Sequence, residues 1–334
     1  MFYSTRSRMD AKVLIIYPRY MPVHKIAREI IEKVAEVREV AWETPSNAAE
    51  ETFKLIMDVD AVLVRLCKID EKLLNIAQKL KVISVHGAGV DNIDINIAAK
   101  KGVIITNTPM ANAVSVAEFT LGLILCLARK IPKFYDVVRD NGWEFVTAIE
   151  LGTQIYGKTL GIIGFGKIGF LVAERAKGLG MDVIVFDPYI LDEKARKIGV
   201  NLTDLETLLK SSDFITIHVP LTSETRHMIG EKELNKIKKE AFLINVARGG
   251  VVDEMALYKA LKEKRIAGAA LDVMEMEPPD LNNPLLSLDN VIITPHIAGS
   301  TKESIIEMAK TAAEDIVRVL NGQPPKFPVN IQSI

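Results

Sequence analysis

Cysteine is scarce in this sequence. Cys67 in AVLVRLC and Cys126 in LGLILCLAR are the two in 334 residues, and both stand in apolar runs. A disulfide framework needs more than that, so the pair reads as small buried hydrophobes suited to a reducing cytoplasm. Neither sign of charge dominates: 42 Lys plus Arg face 43 Asp plus Glu, for a formal charge of -1. No sustained basic stripe tracks phosphates, which argues against a nucleic-acid partner. Long apolar runs are also missing. The longest uncharged one, FTLGLILCLA, falls far short of the roughly 20 residues that span a bilayer. The opening MFYSTRSRMD lacks the apolar centre of a secretory signal. A soluble cytoplasmic protein without a membrane or metal partner is expected, with Met9 an alternative start.

What is present is enough apolar material for more than one core. Hydrophobic residues make up 49% and charged residues 25% of the chain, and a length of this order favours two domains. From Lys12, short β-branched runs alternate with amphipathic stretches: KVLIIY, VHKIAREIIEKVAE, AVLVR, EKLLNIAQKL, KVISV, NIAAKKG, VIITN. A second series begins at KTLGIIGFGKIG and runs through FLVAERAKGLG, MDVIVFD, LETLLKSS, DFITIHVP, ELNKIKKE, AFLINVA, VVDEMALYKALKEK and IAGAALDV to VIITPHI. Strands alternating with helices predict an α/β chain with two doubly wound parallel sheets. Between the series Pro109 blocks continuation of a strand and the next residues turn helical, which places a hinge there. No solenoid repeat or low-complexity segment is found.

In LGIIGFGKIG, Gly164, Gly166 and Gly169 have G-x-G-x-x-G spacing after an apolar strand and at the start of a helix. That helix is expected to bury Ile168, Leu171, Val172, Ala176 and Leu179. The first glycine permits a tight turn, the second lets the backbone approach a pyrophosphate, and the third allows close packing. Phe165, Lys167 and Ile168 fill the remaining positions of this dinucleotide turn. The next strand ends in Asp187, 18 residues beyond Gly169, where a carboxylate accepts bonds from the adenosine ribose and repels a ribose phosphate. NAD is thus expected over NADP, and no arginine follows in FDPYILDE to oppose that choice.

Three further groups follow apolar strands of the second series, where ligands collect in open parallel sheets. They are Arg248 in LINVARGGVVDE, Asp272 with Glu277 in AALDVMEMEPP, and His296 in ITPHIAGST. With GAGVDNID, HVPLTSETRHMI and NPLLSLDNVIITPH, all in order, they make the chain resemble the NAD-dependent D-isomer 2-hydroxyacid dehydrogenases. The resemblance is closest to the phosphoglycerate dehydrogenase branch and covers nearly the whole chain. It implies a Rossmann cofactor domain, 109–299, inserted into a flavodoxin-like substrate domain, 1–108 with 300–334. It also implies a homodimer interface around residues 112 to 155.

By the same resemblance His296 is the general acid/base, Glu277 its carboxylate partner and Arg248 the cation on the substrate's carbonyl and carboxylate. The chemistry asks for these types. A keto oxygen gaining charge needs a proton donor poised near neutral pH, and arginine offers a donor fork to a carboxylate. Asp272 is expected either on the nicotinamide carboxamide or as a turn residue, Val246 and Ala247 contact that ring through backbone, and small Ala298 and Gly299 leave it room. His218, Val219, Pro220 and Thr225 fall in the cofactor set, with His218 equally open to a structural role. His24 and His227 read as solvated.

For the substrate, Gly87, Ala88 and Gly89 can present successive N–H groups to a carboxylate. Val85 and His86 fall in the substrate-binding set with this loop; many phosphoglycerate dehydrogenases carry arginine where this chain has Val85, so phosphate recognition would need another cation. His86 substitutes in part or points to solvent. The expected substrate is a small 2-keto or 2-hydroxy acid of the phosphoglycerate or hydroxypyruvate/glyoxylate type. Glu277 argues against a formate-oxidising relative, which carries glutamine there, but not against a phosphite-oxidising one. The alternative from another class is an NAD-sensing, corepressor-like binding protein of the same fold. The end at Ile334 leads us to expect no C-terminal serine-regulated domain.

Overall fold

The computed structural model describes residues 10–143, 151–190, 195 and 198–330. Met9 and residues 144–150 of the expected dimer segment lie outside them. The chain divides into two compact units, Met1–Asn112 with Ser300–Ile334, and Ala113–Gly299.

In the first unit the strands are β1 (Lys12–Pro18), β2 (Glu36–Trp42), β3 (Ala61–Val64), β4 (Val82–Val85) and β5 (Ile104–Thr106). They form one parallel sheet in the order β2-β1-β3-β4-β5, the flavodoxin-like winding. Between them run α1 (Ile26–Ile31), α2 (Glu50–Leu55), α3 (Glu71–Ile76) and α4 (Ile95–Lys100). The apolar runs are continuous because successive side chains serve opposite faces. Val13, Ile15, Ala61 and Leu63 pack with Ala27 and Ile31 of α1; Leu14, Ile16, Val62 and Val64 pack with Leu73 and Leu74 of α3. Strand β2 escapes a reading of apolar runs because Glu36, Arg38 and Glu39 interrupt it; among the described residues it is an edge strand, paired only to β1.

The second unit contains α5 (Ala113–Arg129), α6 (Ile131–Asn141), β6 (Thr159–Ile163), α7 (Lys167–Gly178), β7 (Asp182–Phe186), β8 (Asn201–Leu202), α8 (Leu205–Ser211), β9 (Phe214–Ile217), α9 (Glu231–Leu234), β10 (Phe242–Asn245), α10 (Glu254–Lys262), β11 (Gly268–Leu271) and β12 (Val291–Ile293). Its parallel sheet has the order β12-β11-β10-β9-β6-β7-β8, the Rossmann winding, and the order reverses between β6 and β9. Of the expected helix ELNKIKKE only Glu233 and Leu234 are helical, at the end of the single turn α9. Helix α7 buries Leu171, Val172, Ala173 and Ala176. The expected burial of Leu179 is not met: the helix ends at Gly178 and Leu179 is exposed beyond it.

Helix α11 (Lys302–Leu320) returns to the first unit. It starts in a capping box between Thr301 and Ser304, and buries Ala309, Ala312, Ala313 and Ile316 against the α1 side of the sheet. The following turn is tied to it by the buried Asp315 carboxylate, which accepts the N–H groups of Lys326 and Phe327. Among the described residues no helix is long and apolar enough to cross a membrane.

Candidate active site

The glycine turn joins β6 to α7. Gly164 has φ +92°, and a Cβ there would lie 2.8 Å from the backbone carbon and oxygen of His218, so only glycine fits. At Gly169 a Cβ would lie 2.2 Å from the Gly164 carbonyl oxygen, which is how the helix packs onto its own turn. At Gly166, the residue before α7, a Cβ would meet nothing within 4 Å. Glycine there leaves open space in front of a twelve-residue helix N-terminus, the arrangement a pyrophosphate needs. Phe165 is wholly buried, so it offers backbone only, whereas Lys167 is exposed and Ile168 half-buried.

Asp187 Oδ2 accepts the Phe165 N–H at 2.8 Å and Oδ1 the Tyr189 N–H at 2.9 Å. It thus ties the end of β7 to the glycine turn, with lone pairs left for hydroxyl donors. Across the turn, His218 Nε2 lies 3.0 Å from Thr216 Oγ1, and burial pushes the imidazole down to about 3, so it is neutral. Val219 is half-buried and Pro220 exposed. Thr225 Oγ1 donates to the Pro220 carbonyl at 2.6 Å and accepts the Thr222 N–H at 2.8 Å, so this hydroxyl is already used within its own loop.

After β10, Val246 is buried and Ala247 half-buried. Asn245 shapes the turn by accepting the Ala247 N–H at 3.0 Å and donating to the Arg248 carbonyl at 2.9 Å. Half-buried Arg248 donates to the Ala247 carbonyl at 2.7 Å. After β11 and β12 stand Glu277 and His296, with Glu277 Oε2 2.7 Å from His296 Nδ1. Burial works against the charged imidazole, but the hydrogen bond and charge of Glu277 outweigh it and raise His296 above its ordinary value. For Glu277 burial acts upward and His296 outweighs it, leaving the carboxyl lowered. Arg248 is near enough to pull both downward.

Asp272 is 1% exposed, and its carboxylate accepts from Thr294, Ile297 and Ala298, all in the turn that carries His296. Of the two roles open to it, the turn role is the one the geometry displays. Ala298 is likewise buried and donates its N–H to Asp272, so its side chain is part of the core rather than open space; Gly299 is half-buried.

In the first unit two expectations need correction. Val85, the last residue of β4, is 3% exposed and packs in the apolar core, so it lines no polar pocket. His86 does not point to solvent: it is 4% exposed, with Nε2 3.3 Å from the Ile305 carbonyl and Nδ1 without a hydrogen-bond partner among the described residues. Burial and the nearby Arg65 push it down to about 3, so it cannot serve as a cation. Gly87 and Ala88 are half-buried, with carbonyls taken by the Thr108 N–H at 2.8 Å and the Asn107 amide at 2.6 Å; Gly89 is half-buried beside them.

The group that sequence reasoning passed over is Arg65. It follows β3 at the same sheet edge as the 86–89 loop, is 5% exposed, and donates to the Pro22 carbonyl at 3.0 Å. Burial lowers it, and no carboxylate among the described residues offsets its charge. The signal was available: a charged residue closing an apolar strand, the same rule that picked out Arg248.

Residues 121–298 match the family described as D-isomer specific 2-hydroxyacid dehydrogenase, NAD binding domain. The chain is similar to the D-3-phosphoglycerate dehydrogenase of Archaeoglobus fulgidus, 46% identical over 286 residues that cover 85% of this chain and 54% of the relative. It spans little more than half the length of the phosphoglycerate dehydrogenases matched first. It is similar over nearly full length to the glyoxylate reductase of Korarchaeum cryptofilum, 39% identical over 94% of this chain and 96% of the relative. Among solved structures, D-lactate dehydrogenase from Aquifex aeolicus, complexed with NAD and lactic acid, matches with a TM-score of 0.84 and 31% identity, covering 96% of this chain and all of that one.

Proposed function

The chain belongs to the D-isomer specific 2-hydroxyacid dehydrogenases, and from that premise we propose that it interconverts a small 2-keto acid and its D-2-hydroxy acid with NAD(H), in the phosphoglycerate or hydroxypyruvate/glyoxylate class. The observation that carries the reading is the 2.7 Å pairing of Glu277 with His296 in an NAD-binding domain. When bound, the cofactor supplies or accepts the hydride. Every other requirement falls to side chains. Glu277 occupies Nδ1, which leaves His296 Nε2 to hold the proton that a keto oxygen takes up or a hydroxyl gives back. The raised imidazole keeps that proton available near neutral pH. Arg248 supplies a positive fork for the carbonyl and carboxylate.

On the cofactor side, Gly164, Gly166, Gly169 and the start of α7 suit a pyrophosphate, and Asp187 suits a ribose diol rather than a ribose phosphate. On the substrate side, the Gly87 N–H is taken by the Val85 carbonyl at 2.9 Å, so Ala88 and Gly89 are left as the backbone donors for a carboxylate, and buried Arg65 supplies the cation that Val85 does not. The division into a substrate domain, 1–108 with 300–334, and a cofactor domain, 109–299, belongs to this proposal, as does a cytoplasmic location. So does pairing with a second copy through α5 and α6, where Ile131, Tyr135 and Val138 stand exposed at helical spacing. Keto-acid-dependent oxidation of NADH by the purified chain tests the activity, and sedimentation equilibrium tests the dimer.

A further inference from the structure

The turn that presents Glu277 has little apolar anchorage. Glu275, Met276 and Glu277 are exposed, and only Met274 at its start is buried. A carboxylate that must stay on one imidazole nitrogen needs another restraint, because a displacement of about 1 Å can slow catalysis by ~10²-fold.

Three neighbouring segments supply that restraint. His227 Nε2 lies 3.1 Å from Glu275 Oε1. The same oxygen accepts the backbone N–H of Glu254, the first residue of α10, at 3.2 Å, and Glu254 Oε1 in return accepts the backbone N–H of Glu275. The reciprocal pair resembles a helix capping box, but here its two acids stand 21 residues apart, one opening a helix and the other in a turn. Glu254 is held in turn by Asn283, whose amide donates to its other oxygen at 2.9 Å. Gly249, beside Arg248, presses on the same turn: a Cβ there would lie 2.0 Å from the Met274 carbonyl carbon. The backbone N–H of His227 donates to the Gly250 carbonyl at 2.8 Å, which ties the main chain that carries the imidazole to that glycine turn. Within the turn, Glu277 Oε1 accepts the Met274 N–H at 3.0 Å.

We propose that Glu275 is a positioning residue: by bridging His227 and Glu254 it fixes the 274–277 turn and so keeps the Glu277 carboxylate on His296 Nδ1. The inference rests on the reading of Glu277 and His296 as the proton-handling pair. The charged groups that act most strongly on His296 are Glu277 and Asp272, which raise it, and Arg248, which lowers it. Neither His227 nor Glu275 is among them, so their influence passes through the position of the turn.

The test is an NMR titration of the His296 ring in the full chain, comparing the unaltered protein with His227→Ala, Glu275→Gln and Glu277→Gln. His227 is exposed and Glu275→Gln keeps an acceptor for the Glu254 N–H, so both variants retain the fold, which circular dichroism and NADH affinity verify. The expected result is a His296 midpoint lowered by about one pH unit in Glu277→Gln and lowered in the same direction in the other two. His227→Ala is the sharper arm: any positive charge removed with the ring would, through space alone, raise the midpoint, whereas release of the turn lowers it. An unchanged or raised midpoint in His227→Ala and Glu275→Gln, beside a lowered one in Glu277→Gln, overturns the positioning role and leaves the proton-handling pair standing. An unchanged midpoint in Glu277→Gln overturns both.

Discussion

Asp272 holds His296 through the backbone. Its carbonyl accepts the His296 N–H at 2.8 Å, Oδ1 accepts the Ile297 N–H at 2.9 Å and the Thr294 hydroxyl at 2.7 Å, and Oδ2 accepts the Ala298 N–H at 2.8 Å. Between these anchors His296 takes φ +53°, a left-handed conformation that costs a non-glycine residue on the order of 1 kcal/mol. The bonds to Asp272 offset that strain and aim the ring. Burial raises the Asp272 carboxyl, the three donors and His296 draw it down, and the net shift is upward.

Replacing Asp272 by Asn turns one acceptor oxygen into a donor facing a backbone N–H. We expect kcat to fall ~10-fold or more, with a loss of about 1–3 kcal/mol in stability. Thermal melts and steady-state kinetics on the same preparation check both. Unaltered kcat in a destabilised variant would confine Asp272 to a folding role.

His296→Ala removes the proton carrier but none of the groups around the glycine turn. Keto-acid reduction is expected to fall by ~10²–10⁴-fold, while NADH still binds with nearly unaltered affinity by fluorescence titration.

The pH profile should report the pair. Reduction of a keto acid consumes a proton, so it needs His296 protonated: its rate is full below the raised imidazole pKa and falls as pH rises through it. In Glu277→Gln the support for the charged ring is lost, and this alkaline limb is expected to move down by about one pH unit. Oxidation of the hydroxy acid, which needs the neutral ring, should show the mirror image. Rate measurements in both directions over a pH series test it.

His86 gives a stability prediction of opposite sense. Its folded value is about 3, against an ordinary value near 6.5, so between those values the unfolded chain binds a proton that the folded chain does not. Stability therefore falls as pH drops through that window. In His86→Leu the loss between about pH 7 and pH 4.5 should shrink by ~2 kcal/mol, measured from urea midpoints at the two pH values.

Arg65 carries the prediction about substrate charge. Arg65→Leu is expected to raise KM for 2-keto acids by ~10–100-fold, as the loss of a charge-assisted hydrogen bond implies, and to leave KM for NADH alone. A KM unmoved by this change would leave the guanidinium a structural donor to Pro22.

Much of the fold was legible because the strands are covered on both faces and so read as unbroken apolar runs; β1 and β3 are examples. Edge strand β2 hid because water on one side lets glutamate and arginine into it. In the site, the Gly164 turn and Asp187 were readable from spacing, since backbone geometry at a phosphate turn tolerates few residues. The pairing of Glu277 with His296 came from resemblance alone. Burial of His86 was not legible, because the sequence does not show that α11 lies over it through Ile305. The Glu254 and Glu275 contact spans 21 residues with no pattern linking them.

The most direct measurement is NADH oxidation by the purified chain against phosphohydroxypyruvate, hydroxypyruvate, glyoxylate, pyruvate and bulkier 2-keto acids, with NADPH in parallel. Turnover of at least one small 2-keto acid is expected, with NADH preferred over NADPH. NADH bound tightly with no turnover of any acid in the panel would contradict it, and would make the chain a binding protein on a dehydrogenase fold.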